Sequence, residues 1–242
     1  MPDVTSPTSV HEIETIGGGV TAPAGFRATG VSCGIKAAGL DLALLVADQT
    51  TSAAGLFTTN LAQAPPVALS RRHLARSGGL ARAVVANSGC ANACTGPGGV
   101  EIARRTAELV AQDLGCGVEQ VLVASTGVIG VALDFEKVSK GARAALGALR
   151  HDGGHDAALA IMTTDISPKE AAVEVRTSEG SFRVGGMAKG AGMIEPMMAT
   201  MLAFVTCDAR VAPPLLHRAL TDVAAETFNA CLSQNRRTDK EL

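Results

Sequence analysis

Along this chain the apolar residues arrive in short runs divided by polar and glycine-rich stretches. The runs Leu42–Ala47, Ala83–Ala86, Gln120–Ala124, Ala172–Val175 and Met201–Cys207 have strand length, and most have turn residues nearby. Between Gly99 and Gly115 the spacing changes: Ala103, Ala107, Val110 and Leu114 recur at helical intervals and predict an amphipathic helix. Leu216, Leu220, Val223 and Ala224 repeat the pattern beyond Pro213-Pro214. Residues 1–19 are polar and end in Gly17-Gly18-Gly19, so they read as a loose, flexible leader, with the globular part starting at Val20. Strands alternating with helices indicate a layered α/β or α+β domain.

Composition sets what such layers are made of. Of 242 residues, 47% are hydrophobic and only six are aromatic, all Phe, so the core must be built from Ala, Val, Leu, Ile and Met. The net charge is −2 with the basic residues scattered, which leaves no electrostatic footprint for nucleic acid or an anionic membrane. No apolar run approaches the roughly 18 residues a membrane span needs, and the first residues lack the basic and apolar blocks of a signal peptide. The expected location is the cytoplasm, with small-molecule or protein partners.

Six cysteines are too sparse for a disulfide-stapled fold. Cys90 and Cys94 are four apart without a second pair, and His151 and His155 flank two glycines in what reads as a solvated loop; neither makes a metal site by spacing. Glycines cluster at Asn87-Ser88-Gly89, Ser125-Thr126-Gly127 and Gly185 to Gly192, where ordinary turns compete with close approach to a ligand. Gly185 and Gly190 have phosphate-loop spacing, but Ala191-Gly192 follows where Lys and Ser/Thr are required. No GxGxxG opens a helix after a strand, so a dinucleotide site is also unsupported.

Ala199-Thr200 is the stretch with chemical promise. A hydroxyl beside a carbonyl, a small preceding residue and a Gly/Met/Pro loop are what self-cleavage needs. Cutting there would free the α-amine of Thr200, whose pKa of roughly 7.7–8.0 lets it act as a base near neutrality. Local chemistry leaves this reading open beside a plainer one, a buried threonine at a strand start.

Several segments in order resemble one family. They are Val20–Phe26, Ala54–Asn60, Asn87–Gly96, Ala124–Gly130, Ala160–Asp165 and Lys189–Phe204, and together they resemble the ornithine acetyltransferases, the bifunctional glutamate N-acetyltransferases of arginine biosynthesis. The resemblance runs from about residue 20 to about residue 229. It implies an α/β (α+β layered) fold, a DmpA/ornithine-acetyltransferase-like sheet-and-helix sandwich with an N-terminal-nucleophile-type self-cleavage site. It implies cleavage between Ala199 and Thr200 into an α chain, 20–199 after the leader, and a β chain, 200–242, with two of each in a heterotetramer. Thr200 is then the nucleophile that takes acetyl from N2-acetylornithine, releases ornithine and acetylates glutamate. Thr126 and Gly127 fill the oxyanion hole, Thr163 and Lys189 contact substrate with Thr200, and no metal or cofactor is involved, although some relatives accept acetyl-CoA as donor.

The chain also departs from the pattern. Cys90 stands where Asn is usual and Glu195 where a neutral residue is usual. After Thr227-Phe228-Asn229 the family continues into a further domain of well over a hundred residues, whereas this chain stops at Leu242, so a truncation near residue 230 is expected. Two other readings therefore stand beside the acetyltransferase: an inactive fragment that at most co-assembles with a homologue, and a self-processing hydrolase of the N-terminal-nucleophile style.

Overall fold

In a computed structural model, residues 9–190 and 201–230 are described. In chain order the elements are β1 (Val10–Ile16), β2 (Phe26–Val31), β3 (Leu42–Ser52), α1 (Pro65–Arg76), β4 (Leu80–Cys90), α2 (Gly96–Leu114), β5 (Val121–Val128), α3 (Phe135–Gly147), α4 (Gly154–Ile161), β6 (Lys169–Thr177), β7 (Gly180–Lys189), β8 (Leu202–Cys207) and α5 (Pro213–Glu226). They form two four-stranded sheets, ordered β2-β3-β4-β5 and β1-β6-β7-β8. The second is antiparallel throughout; in the first, β4 and β5 run parallel. The layered α+β arrangement is the one expected.

The mixed sheet explains why its strands read as continuous apolar runs. Leu42, Leu44 and Val46 of β3, with Ala83 and Val85 of β4 and Val121 and Val123 of β5, pack on one face against α2 and α3 through Ala107, Val110, Val138 and Ala142. The intervening Ala43, Leu45 and Ala86 point the other way, into a second cluster with Ala157, Ala158, Ala160 and Ile161 of α4 and Met187 of β7. Side chains alternate along a strand, so a sheet covered on both faces needs apolar residues at every position.

Helix α4 thus lies where the two sheets approach. Its buried residues are mostly alanines and glycine, and the strand facing it carries Gly30, where an added Cβ would run into the carbonyl of Asp156 and lie 3.0 Å from the Ala160 Cβ. The predominance of small side chains is what allows this helix to sit so close to β2.

Part of the segment expected to be a loose leader is strand β1, paired antiparallel with β6 from Val10↔Thr177 to Ile16↔Ala172. Its polar composition concealed it because β1 is an edge strand, exposed along most of its length, and Glu12 and Glu14 pair with Arg176 of β6 at 2.8 and 3.1 Å. The expected helix beyond Gly99 is α2, which starts at Gly96 and ends at Gly115 in the left-handed conformation, φ 63°. The second expected helix is α5, whose first residues are Pro213 and Pro214, prolines being tolerated at helix starts. Among the described residues no helix is long and apolar enough to cross a membrane.

Candidate active site

The site is assembled at the ends of β4, β5 and β7 together with the connection between α4 and β6. In the parallel pair, Asn87, Ser88 and Gly89 lie opposite Ser125, Thr126 and Gly127. Ser125 Oγ donates to Asn87 Oδ1 at 2.6 Å, and Asn87 Nδ2 donates to the Cys90 carbonyl at 2.8 Å. Ser88, wholly buried, donates to the Ala160 carbonyl at the end of α4 at 2.6 Å. Asn87 and Ser88 bond to backbone and Ser125 holds the Asn87 amide, a small network that fixes the two strand ends.

Gly127 has φ +133°, and an added Cβ would lie 2.6 Å from the Cys90 nitrogen and still closer to the Gly89 carbonyl carbon. Only glycine therefore fits where β5 passes β4, and the residue itself is exposed. Its neighbour Thr126 is buried, as is Lys189 at the end of β7, and Lys189 Nζ donates to Thr126 Oγ1 at 3.0 Å. The hydroxyl accepts from the ammonium, so its own proton is directed elsewhere. Burial lowers the pKa of Lys189; the charge of Asp165 opposes that shift and that of Lys169 adds to it.

Thr163, half-buried, follows directly after α4 in the connection to β6. Asp165 dominates its surroundings: one carboxylate oxygen accepts from Lys169 Nζ and from the Gly190 amide, both at 2.8 Å, and the other from the Thr163 amide at 3.3 Å. Burial by itself would raise the Asp165 pKa, yet these donors hold it below the ordinary carboxylate value. On the other side of Thr163, Lys36 Nζ donates to the Met162 carbonyl at 3.1 Å. The loop carrying Lys36 is wound around the fully buried Asp41, which accepts from the amides of Cys33, Ile35 and Lys36 at 2.7, 2.7 and 3.0 Å. Burial, together with this carboxylate, pushes the Cys33 thiol up to about 12.

Thr126, Gly127, Thr163 and Lys189, singled out from sequence, thus converge on one end of the molecule. Ala199, Thr200 and Glu195 lie outside the described residues. The described residues on either side, Gly190 and Met201, stand at adjacent ends of β7 and β8, whose last pair is Lys189↔Leu202. Sequence reasoning assigned no role to Asp165, Lys36 or Asp41. Asp165 had one visible signal, a lysine four residues on at Lys169. Lys36 and Asp41 had none, because their partners are backbone groups. Of the weak metal candidates, Cys90 Sγ donates to the Val131 carbonyl while Cys94 is exposed. His151 and His155 contact the Phe26 carbonyl and Glu170 respectively.

The chain is similar to several known proteins. The "Arginine biosynthesis bifunctional protein ArgJ" of Symbiobacterium thermophilum is 50% identical over 220 residues, which cover 90% of this chain and 54% of that protein. The protein of the same name from Thermosynechococcus vestitus is 48% identical over 217 residues, 89% of this chain and 52% of that protein. The chain spans about half the length of the curated relatives it matches. Among solved structures, ornithine acetyltransferase from Mycobacterium tuberculosis complexed with ornithine is similar with a TM-score of 0.69 at 44% identity, over 76% of this chain and 97% of that one. The ArgJ protein of Bacillus halodurans gives a TM-score of 0.72 at 33% identity, over 79% of this chain and 98% of that one. The model of the ArgJ family matches residues 27–235, most of the chain, so the chain belongs to the ArgJ family.

Proposed function

We propose that this chain is an acetyltransferase proenzyme that cleaves itself between Ala199 and Thr200 and then carries acetyl groups on Thr200, from N2-acetylornithine to glutamate. The observation that carries the reading is the hydrogen bond from Lys189 to Thr126 beside Gly127, at the end of the strand that pairs with β8. In sequence Thr200 precedes Met201, which leads directly into β8 at Leu202.

In cleavage, Thr200 Oγ attacks the Ala199 carbonyl carbon, the C–N bond breaks, and water hydrolyses the resulting ester to leave an Ala199 carboxylate and a free Thr200 amine. In transfer, that amine takes the Oγ proton as Oγ attacks the acetyl carbon, and the proton passes to the departing nitrogen of ornithine. The amine of glutamate then attacks the acetyl ester and the hydroxyl is restored. Each transfer develops an oxyanion, for which the Thr126 hydroxyl, polarised by the Lys189 ammonium, and the backbone at Gly127 are preset donors. Lys189 and Thr163 line the substrate side, where an ammonium suits an α-carboxylate. The same reading divides the chain into an α part, 20–199, and a β part, 200–242, assembled as two of each in the cytoplasm.

Intact mass under denaturing conditions tests it. Two fragments summing to the chain plus one water are expected, with Thr200→Ala left whole; an uncut wild-type chain overturns the proposal. N2-acetylornithine should add one acetyl to the fragment beginning at Thr200, and glutamate should remove it. Free acetate without acetylglutamate would instead indicate a hydrolase. Thr126→Val should slow acetylation about 10²–10³-fold, the size expected for one lost oxyanion donor.

A further inference from the structure

The site contains a buried carboxylate that neither cleavage nor transfer uses. The Asp165 side chain is 1% exposed, and its three donors come from three places: the turn after α4, the start of β6, and the first residue beyond β7. The turn carries Thr163, and Gly190 is bonded to Lys189. A surface aspartate bridging one lysine would contribute little. A buried one receiving two backbone amides and an ammonium fixes all three relative to one another.

We infer that Asp165 is a positioning residue: its carboxylate locks the Thr163 turn to the end of β7 and supplies the counter-charge for the Lys189 ammonium. This inference rests on the proposed roles of Thr163 and Lys189 for its bearing on acetyl transfer, while its geometry stands apart from them. Two arrangements follow. The amide bonds set the separation of the two substrate-side groups, so the site is spaced by backbone rather than by flexible side chains. The charge favours the protonated form of a desolvated lysine.

The groups acting on Lys189 can be named. Among the described residues, the turn contributes Asp165 and β6 contributes Lys169, of opposite sign; β5 contributes the neutral Thr126, and the paired residue of β8 is Leu202. Removing the carboxylate should therefore lower the Lys189 midpoint, and removing Lys169 should raise it. A merely structural loosening would move both variants in one direction.

The test uses the full chain with lysine labelled at Cε for NMR, the Lys189 signal being assigned by its absence in Lys189→Arg. Asp165→Asn should lower the Lys189 midpoint by about one pH unit, the size expected of a nearby opposite charge, and speed amide exchange at Thr163 and Gly190 about tenfold. Asp165→Glu, which keeps the charge and displaces it, should retain most of the midpoint while still speeding exchange at Gly190. Lys169→Met should raise the midpoint. An unmoved midpoint in Asp165→Asn overturns the inference, as does a shift in the same direction in Lys169→Met. If Asp165→Asn does not fold, Asp165→Glu and Lys169→Met decide, and unchanged Gly190 exchange in the former or an unmoved midpoint in the latter overturns it. The alkaline limb of Thr200 acetylation should follow the Lys189 midpoint in each folded variant. A wild-type chain that is never acetylated overturns the proposed function and leaves the NMR result on Asp165 standing.

Discussion

The two sheets solve the same problem differently. The mixed sheet β2-β3-β4-β5 is covered on both faces, by α2 and α3 on one side and α4 on the other. The antiparallel sheet β1-β6-β7-β8 turns Met187 and Phe204 inward but presents Ile13, 64% exposed, and Val205, 57% exposed, on its far face. Register places Val175, Phe182 and Val184 on that same face. Helix α5 is similarly uncovered, burying only Ala224. Among the described residues the deeper core therefore belongs to the mixed sheet, while the antiparallel sheet is only partly covered on its far face, where Val175 is buried and Phe182 and Val184 are half-buried. The candidate site joins them: Thr126 and Gly127 belong to the covered sheet and Lys189 to the half-covered one.

The sharpest test of this contrast pairs a core substitution with an exposed one. Leu44→Ala, in the covered sheet, should cost about 2–5 kcal/mol as a cavity-forming change, whereas Val205→Ala should change stability by less than about 0.5 kcal/mol. Urea titration followed by circular dichroism measures both, and equal losses would mean the far face is as well packed as the core.

Next in size is Asp41, which organises the loop beside the covered sheet. Asp41→Asn replaces an acceptor with a donor facing buried amides and should cost about 1–3 kcal/mol at neutral pH. Burial alone would raise the Asp41 pKa, but its amide donors bring it below the ordinary value in the fold. Its contribution is then complete above the unfolded-state value and is lost as pH falls through the folded one. The gap between wild type and Asp41→Asn should accordingly close in acid; a constant gap would show that shape, not charge, is at work.

Ser88→Ala removes a buried hydroxyl that ties β4 to α4. It should cost about 1–2 kcal/mol, because the Ala160 carbonyl loses its donor, with acetylation of Thr200 reduced alongside it. The smallest effect belongs to the half-covered sheet. Arg176→Ala, which breaks the exposed cluster with Glu12, Glu14 and Glu174, should leave the melting temperature nearly unchanged. Any loss seen at low salt should vanish at high salt, and a loss that survived would assign β1 a structural role beyond pairing.

The residues most easily read from sequence were those of the covered sheet, for a physical reason. Burial on both faces forces an unbroken apolar run such as Leu42–Ala47, which no loop imitates. Strand β1 escaped because an edge strand with charged neighbours looks like a polar leader, and its pairing partner lies more than 150 residues away. Helix α4 escaped because its flanking glycines, Gly153 and Gly154, read as a loop; they are required by the close approach to Ala28 and to Gly18 and Thr21. At the site, Thr126, Gly127, Thr163 and Lys189 were legible through their motifs. Asp165, Lys36 and Asp41 act on backbone groups distant in sequence or hidden within a loop, and composition carries no trace of such bonds.

The ladder between β7 and β8 has a further consequence. Six residue pairs, from Val184↔Cys207 to Lys189↔Leu202, join the strands on either side of residues 191–200, and Thr206 also donates to the Val20 carbonyl at 2.7 Å. A break in the chain between Gly190 and Met201 does not untie this connection. The two new ends remain at the high effective concentration that neighbouring strands impose on each other. If the proposed cleavage occurs, severed and intact chains should migrate as one particle under native conditions and differ only in denaturant, the sheet then serving as a non-covalent splint.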